Sequence, residues 1–270
     1  MMLDGKKIGF IGGGNMAEAI IKGLLAGGVQ AGAIMVAEPI SLRRSFLSSE
    51  YSVLTDDNLD VARQADIIIL AVKPQVAASV LTSLEPAITS NKLIISIMAG
   101  ISTGFIEETL TNGVRVVRSM PNTPALIQAA ATAVCPGRKA TDQDIEIARE
   151  IFSLVGTVVT VPEKQMDAVT GLSGSGPAYV FTFIEALSDA GVKNGLQRDV
   201  ALQLAVQTVL GAARMMSEST EHPAQLRDKV TSPGGTTIAA LHALEKDGFR
   251  GVVMDAVDAA CKRSKELAGK

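Results

Sequence analysis

Tryptophan is absent from this 270-residue sequence, and histidine and cysteine occur only twice each. With His222 and His242 alone, a histidine-based acid–base mechanism or a histidine-rich metal centre has little material, and no metal site is expected. His222, directly before Pro223, reads as a residue at a helix start, and His242 as a packing residue one turn beyond a hydroxyl-rich loop. Cys135 and Cys261 lie far apart without C-x-x-C spacing, which excludes a disulfide framework or zinc ribbon and fits a reducing cytosol. Both are expected as ordinary buried thiols. No basic tract is long enough to follow a phosphate backbone, and 25 Lys plus Arg against 28 Asp plus Glu give a formal charge of −3, so nucleic acid is excluded as a partner. The apolar runs, 67–72 among them, are too short to span a bilayer, and residues 1–7 lack the apolar stretch of a secretory signal. A cytoplasmic protein with no membrane partner is expected. There is no internal repeat and no low-complexity segment.

What the sequence does contain is alanine, glycine and branched aliphatics in short alternating blocks. Apolar runs at 7–11, 33–37, 53–54, 66–72, 93–96 and 114–118 predict strands, separated by helical periodicity at 15–26, after Ser41 as a cap, at 75–84 and at 103–110. Further strands are expected at 132–135 and 157–161, flanking a helix at 142–154 capped by Thr141. This alternation predicts an α/β fold with a Rossmann-type doubly wound parallel sheet. Beyond Pro162 only helical periodicity remains, at 177–191, 199–217, 237–246 and 249–267. The expected division is therefore a dinucleotide-binding domain over 1–162 and an all-helical substrate and dimerisation domain over 163–270. Helix 199–217 is apolar around most of its circumference, which calls for cover on every side, and a second subunit would supply it.

Gly12-Gly13-Gly14-Asn15-Met16-Ala17 fits G-x-G-x-x-[GA] between the first strand and first helix. The first glycine permits the tight turn, the second lets a pyrophosphate approach the helix N-terminus, and Ala17 lets helix pack on sheet. Glu38 ends the second strand, where an acidic residue binds the adenosine ribose of NAD; Arg43 and Arg44 follow, of the type that accepts the phosphate of NADP, so NADH and NADPH both stay open. Ala71-Val72-Lys73-Pro74 and Met120-Pro121-Asn122-Thr123-Pro124 close strands at the edge where such sheets bind ligands. Asn122 and Thr123 are of the type that meets a nicotinamide amide; a rigid proline-bounded loop is the alternative. Gly171-Leu172-Ser173-Gly174-Ser175-Gly176-Pro177 opens the helical region, with Val180 where hydroxyacid dehydrogenases of this layout carry a catalytic lysine. Near the end, Ser232-Pro233-Gly234-Gly235-Thr236-Thr237 precedes a helix and holds no charge, so whatever it binds is held by amides and hydroxyls.

These motifs, in this order along nearly the whole chain, resemble those of the pyrroline-5-carboxylate reductases. The resemblance implies hydride transfer from NADPH or NADH to 1-pyrroline-5-carboxylate, the last step of proline synthesis. It implies that Thr237 hydrogen-bonds the ring nitrogen beside Ser232, and that the segment Gly234, Gly235, Thr236 and Thr237 grips the substrate carboxylate. It also puts Glu163 on the substrate side and Asn58 on the cofactor side, with Gly12 to Met16, Glu38, the Ala71–Pro74 segment, Asn122 and Thr123 at the cofactor. A homodimer through the helical domain, each active site drawing on both subunits, is implied too. Glu38 stands where NADPH-preferring relatives often carry a small hydroxyl residue, which favours NADH. A hydroxyacid dehydrogenase and a non-catalytic dinucleotide sensor are the alternatives, the former disfavoured by Val180.

Overall fold

The computed structural model describes residues 2–111, 113–267 and 269. The chain begins β1 (Ile8–Ile11), α1 (Asn15–Ala26), β2 (Ile34–Ala37), α2 (Ser41–Tyr51), β3 (Leu54–Thr55), α3 (Asn58–Gln64), β4 (Ile67–Leu70) and α4 (Ala77–Leu84). It continues through β5 (Leu93–Ser96), α5 (Thr103–Thr109), β6 (Arg115–Met120), β7 (Ala130–Pro136), α6 (Asp142–Ser153) and β8 (Gly156–Thr160). Thereafter only helices follow: α7 (Met166–Val169), a π-helical turn (Thr170–Gly174), α8 (Gly176–Lys193), α9 (Arg198–Ser217), α10 (Pro223–Lys229), α11 (Thr236–Lys246) and α12 (Phe249–Leu267).

The eight strands form one sheet in the order β3-β2-β1-β4-β5-β6-β7-β8. All pairings are parallel except β6 with β7, where Arg118 faces Cys135 in antiparallel register. The sheet is therefore mixed rather than wholly parallel. The reason is the β6–β7 connection, residues 121–129, which is too short for the crossover a parallel pair requires and reverses the chain instead. Every residue of β1, β2, β4 and β5 is buried. That is the consequence of helices covering both faces, and it is why these strands are unbroken apolar runs rather than alternating ones. Ile8, Phe10, Ile34, Val36, Ile67 and Ile69 point to one core layer, and Ile11, Met35, Ala37, Ile68 and Leu70 to the other. Shortening a residue such as Ile69, fully buried, to alanine would cost about 2–5 kcal/mol.

Local signals explain most helix starts. Thr141 caps α6 in a reciprocal capping box with Asp144, and Asp57 accepts the Asp60 N–H ahead of α3 at 2.9 Å. Ser41 does not cap α2 as expected; it is already the first helical residue, and Ile40 holds the cap position without a side-chain bond. His222 caps α10, its Nδ1 accepting the Ala224 N–H at 3.2 Å, so its role is structural.

By compactness the chain divides into one unit of residues 2–175 with 259–269 and a second of 176–258. Segment 163–175 packs with the first unit, Met166 being buried beside Ala133 and Cys135, so this division falls later than the 162/163 position read from the loss of strands. In the second unit, α9 buries only Ala201 and Ala205, leaving Leu202, Leu204, Val206, Leu210 and Met215 exposed. Among the described residues α9 is the one helix long and apolar enough to cross a bilayer.

Candidate active site

The strand order places β1 between β2 and β4, so the chain leaves the carboxyl ends of β1 and β4 in opposite directions and opens a crevice there. Gly12 fills the turn after β1 with φ +100°; a Cβ there would lie 2.6 Å from the Ala71 carbonyl oxygen, so no other residue fits. Its N–H donates to the Ala37 carbonyl at 2.8 Å, tying the turn to β2. Gly14 is the reverse case. It is exposed, caps α1 without a side-chain bond, and a Cβ on it would meet nothing within 4 Å. An open backbone at a free helix N-terminus is the cradle a pyrophosphate needs, so these residues fit a dinucleotide. Asn15 is exposed beside it, Met16 packs partly on the core, and Ala17 is fully buried against the sheet.

Glu38 is 9% exposed and divides its carboxylate between the N–H groups of Gly13 and Ile40, each at 2.9 Å. Ala71, Val72 and Pro74 are half-buried, and Lys73 is exposed at the start of a 3₁₀ turn, Pro74–Val76. Asn58 opens α3 and is half-buried. Thr123 is exposed at the head of a second 3₁₀ turn, Thr123–Ile127. The Asn122 side chain is committed internally: its Oδ1 accepts the Ala131 N–H at 2.9 Å and its Nδ2 donates to the Ser173 carbonyl at 3.0 Å. It thereby joins the Pro-bounded loop to the π-helical turn.

Glu163 takes part in a cluster that sequence reasoning missed. Arg118, 1% exposed in the middle of β6, donates Nη1 to Glu163 Oε1 at 2.5 Å, while Cys135 Sγ donates to Oε2 at 3.2 Å. Burial works against the Glu163 carboxylate, but the Arg118 guanidinium outweighs it and holds its carboxyl below the ordinary range. Burial, then the nearby Glu163 charge, push the Cys135 thiol up to about 12, so it stays protonated and donates. Cys135 is accordingly buried and unreactive as expected, whereas Cys261 is only partly buried.

In the second unit, Ser232 to Thr237 form a turn running into α11. Gly234 has φ +67°, and a Cβ on Gly235 would collide with Ser232 Oγ, so the hydroxyl is folded back under the turn. Gly235 caps α11 without a side-chain bond, leaving the first-turn amides facing outward. Ser232, Gly234 and Thr236 are exposed, and Gly235 and Thr237 half-buried. An uncapped N-terminus of an eleven-residue helix, with hydroxyls on its first two residues and no charged side chain, is suited to a carboxylate beside a neutral hydrogen-bonding group.

Two family models match the chain. Residues 163–267 match pyrroline-5-carboxylate reductase dimerisation, and residues 7–100 match NADP oxidoreductase coenzyme F420-dependent. A pyrroline-5-carboxylate reductase of Methanosarcina acetivorans is 49% identical over 99% of this chain and 100% of its own length. The Synechocystis enzyme of the same name is 49% identical over 98% and 99%. Among solved structures, the Coxiella burnetii pyrroline-5-carboxylate reductase superposes with a TM-score of 0.92 at 40% identity, covering 97% of this chain and 98% of that one. The Plasmodium falciparum pyrroline carboxylate reductase with NADP bound gives 0.88 at 37% identity, over 98% and 99%. With likeness running end to end at this identity, the chain belongs to the pyrroline-5-carboxylate reductase family.

Proposed function

We propose that this protein reduces 1-pyrroline-5-carboxylate to L-proline, the last step of proline synthesis, with NADPH or NADH as reductant. The observation that carries the reading is the uncapped, uncharged N-terminus of α11, set in a chain with an open glycine cradle at α1. The N–H groups of Gly235, Thr236 and Thr237 hold the substrate carboxylate. The Thr237 hydroxyl hydrogen-bonds the ring nitrogen, and Ser232 lines the same pocket. Reduced nicotinamide, once bound, supplies the hydride that adds to C5 of the C=N bond. The ring nitrogen, protonated in solution as the iminium, keeps its proton and becomes the amine, so the protein needs no strong acid. Its work is alignment and the exclusion of water, and neutral donors suit an iminium that a buried cation would repel. Val180, where a hydroxyacid dehydrogenase needs a base, agrees with that division of labour.

The protein acts as a homodimer through its helical region, which is supported by the dimerisation match over 163–267 and by the exposed apolar faces of α8, α9 and α12. Two unpaired cysteines support a cytoplasmic enzyme. Mixing the protein with 1-pyrroline-5-carboxylate and either cofactor should consume cofactor absorbance, and no loss with either would end the reading. Thr237→Val keeps shape and removes one hydroxyl; turnover should fall at least about tenfold while cofactor affinity stays within about twofold. Equal loss of both would refute the role given to Thr237.

A further inference from the structure

One side-chain amide at the carboxyl end of β6 holds together three segments of the first unit. Asn122, 9% exposed, follows β6 and precedes the 3₁₀ turn Thr123–Ile127. Its Oδ1 accepts the Ala131 N–H at the start of β7 at 2.9 Å, and its Nδ2 donates to the Ser173 carbonyl in the π-helical turn at 3.0 Å. The sequence explains why that carbonyl is available. An α-helical carbonyl accepts from the N–H four residues on, and for Ser173 that residue is Pro177, which has none. The turn also comes close to the strand end, since a Cβ on Gly174 would lie 2.8 Å from Met120 Cε. The Ser173 hydroxyl donates to the Val169 carbonyl at 3.1 Å, within its own helical segment.

A glycine turn after β1 puts the pyrophosphate of a dinucleotide at the N-terminus of α1 and the adenosine on the β2 side, which leaves the nicotinamide to the carboxyl ends of β4, β5 and β6. Residues 121–124 leave β6 at that edge. Pro121 and Pro124 stiffen this loop at two points, but neither ties it to its surroundings. Asn122 does, because both ends of its amide are bonded to backbone groups outside the loop. Thr123, exposed, is then the polar side chain the loop presents outward. We infer that Asn122 is a positioning residue for hydride transfer: through Ala131 and Ser173 it fixes the loop on which the nicotinamide rests, and it does not bind the cofactor itself. A displacement of about 1 Å at a reacting centre can cost about a hundredfold in rate, so a loose loop shows in turnover before it shows in affinity. The inference rests on the reductase reading above.

Three readouts on the intact protein separate this role from a direct contact and from mere stability. Hydrogen exchange without ligand reports the bond at Ala131, calorimetry the NADPH and NADH dissociation constants, and steady-state rates the turnover. Asn122→Ala should speed exchange at the Ala131 N–H at least about tenfold, Ala131 being exposed, and lower kcat at least about tenfold, with both dissociation constants within about threefold. Asn122→Asp keeps the acceptor for Ala131 and loses the donor for Ser173, so exchange should stay within about threefold while kcat falls as far. If Asn122→Ala melts below the assay temperature, Asn122→Asp carries the comparison. Ile147→Ala is the control for stability: it removes core volume beside Leu93 and Arg115, at the amino ends of β5 and β6, and below its melting temperature kcat should stay within about twofold. Dissociation constants that rise about tenfold in either Asn122 variant would make Asn122 a direct contact and overturn the inference. Unaltered exchange at Ala131 in Asn122→Ala, an unchanged kcat, or an equal loss of kcat in Ile147→Ala would overturn it too, and leave the reductase reading intact. Wild-type protein without turnover would remove that reading itself.

Discussion

The two units of this chain enclose themselves to different degrees. In the first, four strands are buried along their whole length and two apolar layers close over both sheet faces. In residues 176–258, all of them described, only Ser188, Ala201 and Ala205 are buried, while Phe181, Leu204, Leu210, Val252 and Met254 are exposed. A strand–helix–strand unit finds cover within its own few dozen residues, whereas long helices apolar on most sides have more surface to hide than one another can cover. The first region finds cover for its apolar layers within itself. The second exposes apolar faces that the proposed homodimer would cover, and its stability would then depend on protein concentration.

The largest expected effect breaks the second half of that contrast. Leu210→Glu sits at a side chain 57% exposed in the single chain, where a lone protein would tolerate it within about 0.5 kcal/mol. In a dimer it buries an unpaired carboxylate, and the dissociation constant should rise at least about a hundredfold. Sedimentation should then give the single-chain mass of 28.1 kDa, with turnover lost. An unchanged dimer would show that α9 does not need cover. The first half is tested next by two glycines two residues apart in the same turn. Gly12→Ala forces a side chain onto φ +100° and the Ala71 carbonyl, and urea denaturation should show a loss of about 3 kcal/mol. Gly14→Ala should leave stability within about 0.5 kcal/mol, because nothing lies in its way, yet weaken cofactor binding about tenfold, because a ligand must.

Much of the first unit was legible because a fully buried strand is an unbroken apolar run, and residues 66–72 point to β4 without ambiguity. The glycine turn was legible for a similar reason, since only glycine satisfies the geometry of Gly12. Strand direction was not, because apolar runs carry no polarity, although the shortness of 121–129 was an available signal for the reversal before β7. Arg118 was also visible as a charge inside a buried strand, but its partner lies 45 residues away and no local pattern names it. Asn122 was read for its chemistry toward a ligand; its side chain serves Ala131 and Ser173, the second 51 residues distant. Short-range rules reach caps and turns, and tertiary hydrogen bonds lie beyond them.

Glu163→Gln probes that missed cluster. It removes the charge facing buried Arg118 and should cost about 2 kcal/mol by urea denaturation, less than a fully enclosed pair because the Glu163 side chain keeps 30% of its exposure. Replacing both residues, Arg118→Met with Glu163→Leu, should cost less than the single change. The smallest effect is in acid. The Glu18 carboxyl is depressed from 4.5 to about 2, so its contribution to stability is full above pH 4.5 and fades as pH falls toward 2. Stability curves between pH 5 and 3 should be shallower in Glu18→Gln than in the wild type; parallel curves would dissociate that carboxyl from the first unit's stability.

The first unit also recruits residues 259–269, and Ser264 donates to Asp167 at 2.9 Å within it. During synthesis, residues 2–175 leave the ribosome long before that closing piece. The sheet does not need that piece to close its two apolar layers, since no described residue of 259–269 enters either of them. The tie it adds runs from α12 to α7 through the Ser264 hydroxyl, so removing that hydroxyl tests the late segment apart from the sheet.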